Sequence, residues 1–244
     1  MNRKIACLDA DIIIKSNHKL MDKIVEVFDD IFLHIAVYNE VKWPEEIRKK
    51  LKKLIARSKL KLISDEYLYE QVEYKRLFLD ALCRSCDIFA VDYDEKYFEL
   101  DKSDDNNKNE FLNLLGTLDN NISNNLGEIK TLQMIILLRD QIEEEVEYFI
   151  SDDRRARNAI ILGFGSIEGL SVHGISMISL FYFFKEAGMQ KKEAISYVKS
   201  LNFSETKVYD KNSDMIKLNN IGIINRLYSE ELKLLKTGDF KVRR

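Results

Sequence analysis

Acidic residues recur in this chain where apolar runs end or helices should begin: Asp9 with Asp11, Glu40, Glu128, and Asp152 with Asp153. Carboxylates are the side chains least tolerated in a dry interior, so acids set repeatedly at the edges of buried elements need a cation or water beside them. Brought together they would repel one another severely, which makes a bound cation integral to any shared site. A set of hard oxygen ligands selects Mg²⁺ or Mn²⁺, and such ions activate water against phosphate esters. Each acid also has a plainer role. Asp9 or Asp11 would cap a helix over Ile12 to Ser16, Asp152 or Asp153 would cap the next helix, and Glu128 suits any first helical turn.

The elements that would position these acids follow from periodicity. Ile5-Ala6-Cys7-Leu8 is a continuous apolar run that stops at Asp9, as a strand buried on both faces would. Helical spacing from His18 to Asp30 is followed by a strand-like Ile31 to Val37, and a new helix should start near Glu40. Pro44 opens another helix whose Glu45 and Glu46 suit its dipole. In that segment Ile47, Leu51, Leu54 and Ile55 share one face, and the basic residues from Arg48 to Lys61 either form a solvated face or steer a nucleic-acid strand. Lys59 to Ile63 is strand-like again. Asp65 to Cys86 reads as one aromatic-rich helix and Asp87 to Asn109 as a polar loop; with Glu110 to Leu118 they make an insertion over 65–118. A long helix from Gly127 to Glu145, a strand from Val146 to Ile150, a helix from Arg154 to Leu162 and a strand over Ser166 to Leu170 come next. Strands and helices alternating at these lengths predict crossover units and a parallel sheet, with ligands beyond the carboxyl ends of its strands. Residues 1–174 form the main domain. Three helices, over Ile175 to Glu186, Lys191 to Leu201 and Leu218 to Leu235, make a C-terminal extension over 175–244 packed on it.

A chain of 244 residues with 45% hydrophobic content can bury one substantial core or two small ones. It shows neither a membrane span nor a signal peptide's apolar region, and three cysteines (Cys7, Cys83, Cys86) give no disulfide framework, so a soluble, cytoplasmic protein without a membrane partner is expected. The net charge of −3 rules out a global basic field, so a nucleic-acid partner would have to be held locally. Cys83-Arg84-Ser85-Cys86 has zinc-like spacing but no second pair, and His18, His34 and His173 stand apart from one another. Tyr67, Tyr69 and Tyr74 suit core packing or base stacking. The apolar Ile175 to Phe184 stretch is too short to span a membrane and would seal the sheet or form a homodimer contact.

Four segments together resemble the PIN-domain nucleases. Ile5-Ala6-Cys7-Leu8-Asp9-Ala10-Asp11 is similar to their first strand with its leading aspartate, and Val37-Tyr38-Asn39-Glu40-Val41 to the second acidic motif. Leu126-Gly127-Glu128-Ile129-Lys130-Thr131-Leu132 is similar to the third, where a Gly-Glu pair opens a helix, and Phe149-Ile150-Ser151-Asp152-Asp153-Arg154-Arg155-Ala156-Arg157 to the fourth. The resemblance implies a three-layer α/β/α fold around a mostly parallel sheet, to which this chain adds a helix-rich insertion and C-terminal helices. It also implies Mg²⁺- or Mn²⁺-dependent hydrolysis of phosphodiester bonds, in RNA more often than DNA, and, for many prokaryotic members, a toxin neutralised by a partner protein. Asp9, Glu40, Glu128 and Asp153 would hold the metal. Asp153 is preferred to Asp152 because the family's acid lies two positions after the strand-end Ser or Thr, which leaves Asp152 and Asp11 in supporting positions. Arg154, Arg155 and Arg157 would grip phosphates.

Two other readings fit parts of the same pattern. Asp9-Ala10-Asp11 also looks like the opening of haloacid-dehalogenase-type phosphatases, with Asp9 as nucleophile and Asp152 and Asp153 as a late Mg²⁺-binding pair. Ile12-Ile13 departs from that pattern, and Glu40 and Glu128 would have no part in it. The third reading is a PIN-like module that has lost catalysis and retains a binding or regulatory role.

Overall fold

Ile5 to Leu8 are apolar without interruption because both faces of their strand are covered. The computed structural model describes residues 3–42, 44–122, 124–165, 171–201 and 205–243. Strand β1 (Ile5–Leu8) leads through α1 (Ala10–Lys15) and α2 (His18–Val27) to β2 (Asp30–His34), then through α3 (Ile35–Glu40) and α4 (Glu45–Ala56) to β3 (Lys61–Ile63). Five helices come after β3: α5 (Asp65–Gln71), α6 (Lys75–Ile88), α7 (Tyr93–Lys102), α8 (Lys108–Asn120) and α9 (Leu126–Ile142). The chain then returns to the sheet with β4 (Tyr148–Ile150), α10 (Arg154–Gly165) and β5 (His173–Ile175). All five strands are parallel, in the order β3-β2-β1-β4-β5. The order reverses between β1 and β4, so a crevice opens at their carboxyl ends.

Alternation along the strands divides the interior in two. Ile5, Cys7, Phe32 and Phe149 face one cluster, which also contains Phe78, Tyr97 and Phe111 from the helices between β3 and β4. Ala6, Leu8, Ile31, Leu33 and Ile150 face the other. The fold is therefore α/β with helices on both faces of a parallel sheet, and the 65–118 segment supplies much of one covering layer.

Several elements differ from those that periodicity predicts, each for a local reason. Strand β2 stops at His34, whose Nδ1 accepts from the amide of Ala36 at 3.1 Å and caps α3, so Ile35 to Val37 are helical and Glu40 ends a helix instead of beginning one. The Asp65 to Cys86 helix breaks into α5 and α6, and the expected loop contains α7, capped by Asp92. The Ser166 to Leu170 strand lies outside the described residues. Met177, Leu180, Phe181 and Phe184 from the Ile175 to Phe184 stretch are buried in the core, where they seal one face of the sheet.

The largest difference is C-terminal, where the extension is only partly helical. Beyond α11 (Leu180–Glu186) and α12 (Lys191–Ser200) come β6 (Glu205–Tyr209), β7 (Met215–Asn219), α13 (Asn220–Tyr228), β8 (Leu232–Leu234) and β9 (Phe240–Val242). The strands form a second sheet in the order β7-β6-β9-β8. Met215-Ile216-Lys217-Leu218-Asn219 alternates with a period of two, and Asn219 caps α13 by accepting from Gly222, which breaks the expected Leu218 to Leu235 helix. The β8–β9 turn lies against β5 at Gly238, which has φ +74°; a Cβ there would stand 2.6 Å from the carbonyl oxygen of Gly174.

A buried ionic group fixes α9 against the 65–118 helices. Lys130 is 0% exposed and bonds Asp65 at 3.1 Å and Asp119 at 2.9 Å, while Tyr97 donates to Asp119 at 3.1 Å. Desolvation alone would lower the Lys130 pKa, but Asp65 and Asp119 outweigh it and hold the ammonium charged. His34 lies beside the group: its Nδ1 accepts from Ala36, and its Nε2, buried without a hydrogen-bond partner, stands 3.7 Å from Asp65. Removing the single cation strands two buried carboxylates. Lys130→Met should therefore destabilise the fold by about 3–5 kcal/mol in urea denaturation; a loss below about 0.5 kcal/mol, the range of surface substitutions, would contradict this role.

Candidate functional site

The acids lie around the crevice between β1 and β4, near enough to act on one another's ionisation. Asp9 directly follows β1 and is only 7% exposed. One of its oxygens accepts from the amide of Ala10 at 2.7 Å and the other from the hydroxyl of Ser151 at 2.6 Å. The Ser151 hydroxyl in turn accepts from the amide of Asp153 at 3.0 Å, so one side chain ties the end of β1 to the turn after β4. Asp153 caps α10 through the amides of Arg155 (2.7 Å) and Ala156 (3.4 Å). Capping and membership of the acid group are thus compatible at both Asp9 and Asp153.

Glu40 and Glu128 enter from the side of α9. Asn125, which precedes this helix in a left-handed conformation, gives it no side-chain cap. Its free amides serve acids instead: Gly127 donates to the Glu40 carboxylate and Glu128 is held by its own amide. A Cβ at Gly127 would sit 2.6 Å from Glu40 Oε1, so a side chain there would displace the Glu40 carboxylate. The Gly-Glu pair is conspicuous in the sequence, but only the fold reveals that its glycine seats a second acid from another helix. Ser151 is a functional residue that the sequence reading misses as a bonding group; its place between an apolar strand and two aspartates is the signal that could have found it.

The ionisation of these groups responds first to desolvation and then to one another's charge. Burial pushes Asp9 up to about 6, with Glu128 and Asp153 adding to the effect against the Ser151 and Ala10 hydrogen bonds. Burial likewise raises Glu40 to about 7, assisted by Glu128 and Asp9. Glu128 is raised by burial and by Asp153 and Asp11, and Asp11 is raised to about 6 by burial and Asp9. The structure thus brings Asp9, Asp11, Glu40, Glu128 and Asp153 into one mutually repelling group.

Asp152 faces elsewhere. Its carboxylate accepts from the amide of Met177 at 2.8 Å and from Lys15 at 2.9 Å, and Lys15 also bonds Asp11 at 3.3 Å. Asp11 takes the amide of Asp152 at 3.0 Å. These two acids and Lys15 form a brace beside the crevice. Among the arginines, Arg155 is exposed and Arg154 is half-buried. Arg157 is buried and spends its donors on the carbonyls of Ser151 (2.5 Å) and Thr237 (3.0 Å), so it clamps the β8–β9 turn to the end of β4. Cys86 is buried in the core and Cys83 bonds only weakly to Asp87, at 4.0 Å.

The donors are carboxylate oxygens, the chemistry of a hard divalent cation. A carboxylate has lone-pair sites beyond those that Ala10 and Ser151 occupy on Asp9. Among the described residues, no three His, Cys, Asp or Glu side chains already stand around a common point. The donor type, and not the present arrangement, is what suits Mg²⁺ or Mn²⁺. Among the described residues, no helix is long and apolar enough to cross a membrane. Comparison with family models, with curated proteins and with solved structures returns no match.

The raised pKa values have a signed consequence for stability. Because Asp9 and Glu40 bind protons more tightly folded than unfolded, their contribution to stability is complete below the ordinary carboxylate range and is lost as pH rises through about 6 for Asp9 and about 7 for Glu40. For Asp9 the move from 3.8 to about 6 corresponds to roughly 3 kcal/mol at most. In chelator, the melting temperature should fall from pH about 5 to about 8, and Glu40→Gln should flatten the slope. A melting temperature that rises across this window, or a slope unchanged in the variant, would show that desolvation and neighbouring charge do not raise these carboxyls as described.

Proposed function

We propose that the protein is a metal-dependent nuclease that hydrolyses phosphodiester bonds, an endoribonuclease of the PIN type. The observation that carries the reading is the convergence of Asp9, Glu40, Glu128 and Asp153 at the crevice where the strand order reverses. Asp9, Glu40 and Glu128 have pKa values raised by desolvation and by neighbouring acids, a common mark of a working site. Caps alone would not require Glu40 and Glu128 to share that site. The resemblance of the four segments supports the PIN assignment, and it alone supports RNA over DNA and a toxin restrained by a partner protein.

In this reading Asp9, Glu40, Glu128 and Asp153 hold one or two Mg²⁺ or Mn²⁺ ions, with Asp11 and Asp152 beside them. The bound cation supplies an activated water and neutralises charge at the phosphoryl group. Ser151 orients Asp9 and keeps its carboxylate ionised, since its hydrogen bond lowers the pKa that burial raises. Gly127 and the open end of α9 seat Glu40. Arg154 and Arg155 stand at the head of α10, where guanidinium groups can receive the substrate's phosphates. Lys15 bonds both Asp11 and Asp152 and braces them beside the acid group. A phosphatase using Asp9 as nucleophile would leave Glu40 and Glu128 without a part.

Purified protein should cleave labelled single-stranded RNA with Mn²⁺ or Mg²⁺ and not with chelator, and Asp9→Asn should lower the rate by more than about a hundredfold. Single-stranded DNA, run in parallel, tests the choice of substrate. Cleavage that survives chelation or the substitution would remove the proposal, and phosphate trapped on Asp9 would replace it with the phosphatase.

A further inference from the structure

The second sheet has one face that the nuclease reading does not use. Val208, Phe240 and Leu232 point into the core, with Ile216, Leu218, Leu234 and Val242 packed around them. Alternation therefore turns Lys207, Tyr209, Met215, Lys217, Lys233 and Lys241 to the opposite face. The pairing register sets Met215, Tyr209, Lys241 and Lys233 in one row across all four strands, with Lys217 and Lys207 directly opposed in the next. Lys207 thus faces Lys217, and Lys241 faces Lys233. Like charges opposite one another weaken a sheet. Lysines on edge strands deter aggregation, which accounts for Lys217 on β7 and Lys233 on β8; of the two on inner strands, Lys241 donates to the Ser213 hydroxyl at 2.6 Å, and Lys207 has no such reason.

This face joins the acidic crevice. The Tyr209 hydroxyl is hydrogen-bonded to Arg154, whose guanidinium lies 5.8 Å from the tyrosine ring centre. A cavity of about 270 Å³ between α10 and β6 is lined by Arg154, Arg157, Lys207, Thr206 and Asp152, among others. Inside it Arg154 pairs with Asp239 at 3.1 Å, yet its Nε is buried with no hydrogen-bond partner. The hairpin acids Asp210 and Asp214 are not on the row: Asp210 accepts from the amides of Asn212 (2.8 Å) and Asp214 (2.9 Å) to shape the β6–β7 turn.

We propose that this sheet face binds single-stranded polynucleotide, its phosphodiester backbone laid along Lys233, Lys241 and Tyr209 and led past Arg154 to the acid group. The occupant is identified by charge: neighbouring strands about 4.8 Å apart set a row of ammonium groups against a polymer carrying one negative charge per nucleotide. The inference extends the nuclease reading, and its binding test runs without catalysis.

The test is fluorescence anisotropy of labelled single-stranded RNA with the full-length protein in chelator, over a series of salt concentrations. Lys233→Glu/Lys241→Glu should weaken binding by more than about tenfold and make the plot of log affinity against log salt shallower by about 1.4, the value for two lost phosphate contacts on a single strand. Lys191→Glu/Lys192→Glu, an equal change in net charge on α12, should leave the slope as in the wild type. Lys233→Glu alone turns an opposed pair into an ion pair, so its melting temperature should be no lower than that of the wild type while its affinity falls; a merely structural lysine would not separate these two effects. Equal behaviour of the two double variants, undetectable RNA binding, or displacement by polyglutamate as readily as by RNA would overturn the proposal. Hydrolysis of bis(p-nitrophenyl) phosphate with Mn²⁺ separates the two readings. Lys233→Glu/Lys241→Glu should retain it, whereas RNA binding by a wild type that hydrolyses neither substrate would sink the nuclease and leave the surface standing.

Discussion

The cost of crowding carboxylates into a partly dry crevice, desolvation first and mutual repulsion second, is the constraint around which this molecule is arranged. Asp9, Glu40, Glu128 and Asp153 come from four distant parts of the chain and are brought to one crevice against their own electrostatics. Folding has to offset that cost, and the offset is visible locally. Each acid is met by hydrogen-bond donors: Ala10 and Ser151 for Asp9, Gly127 for Glu40, its own amide for Glu128, and Arg155 and Ala156 for Asp153. Most of these donors are backbone amides at helix starts, which supply positive potential without placing a competing cation in the site.

Holding those helix starts in place is the work of the surrounding layers. Helix α9 carries Glu128 and seats Glu40, and Lys130, one turn further along at most, anchors it to Asp65 and Asp119 in a fully buried ion group. His34 caps α3, which ends on Glu40, and its other nitrogen faces Asp65, so a single polar network touches both helices that present glutamates. On the other side Arg157 clamps the C-terminal hairpin to the carbonyl of Ser151. The second sheet is therefore tied to the residue that bridges Asp9 and Asp153.

The sequence disclosed strands whose apolar runs were continuous, because burial on both faces leaves an unambiguous mark, and β1 and β4 are of this kind. The candidate acids Asp9 and Asp153 were legible for the complementary reason: a carboxylate abutting such a run is conspicuous. Elements decided by a single polar contact were less legible. The end of β2 depends on His34 turning back to cap α3, which no periodicity encodes. The C-terminal strands were hidden because Ile216, Leu218, Ile223, Ile224 and Leu227 sustain an apolar pattern that suits a helix over most of its length, with only Asn219 marking the break. Lys130 reads as an ordinary exposed lysine until its two acidic partners, remote in sequence, are placed beside it. The role of Gly127 likewise depends on where Glu40 ends up.

The central claim is that these repelling acids form a receptor for a divalent cation, and calorimetric titration of Mn²⁺ into chelator-treated protein near neutral pH tests it most directly. Because Asp9 and Glu40 hold protons more tightly than ordinary carboxyls, binding should release protons, making the measured heat depend on the ionisation enthalpy of the buffer. Asp9→Asn should weaken the binding and reduce that dependence. Absence of binding, or binding equally tight in Asp9→Asn with no proton release, would contradict the account.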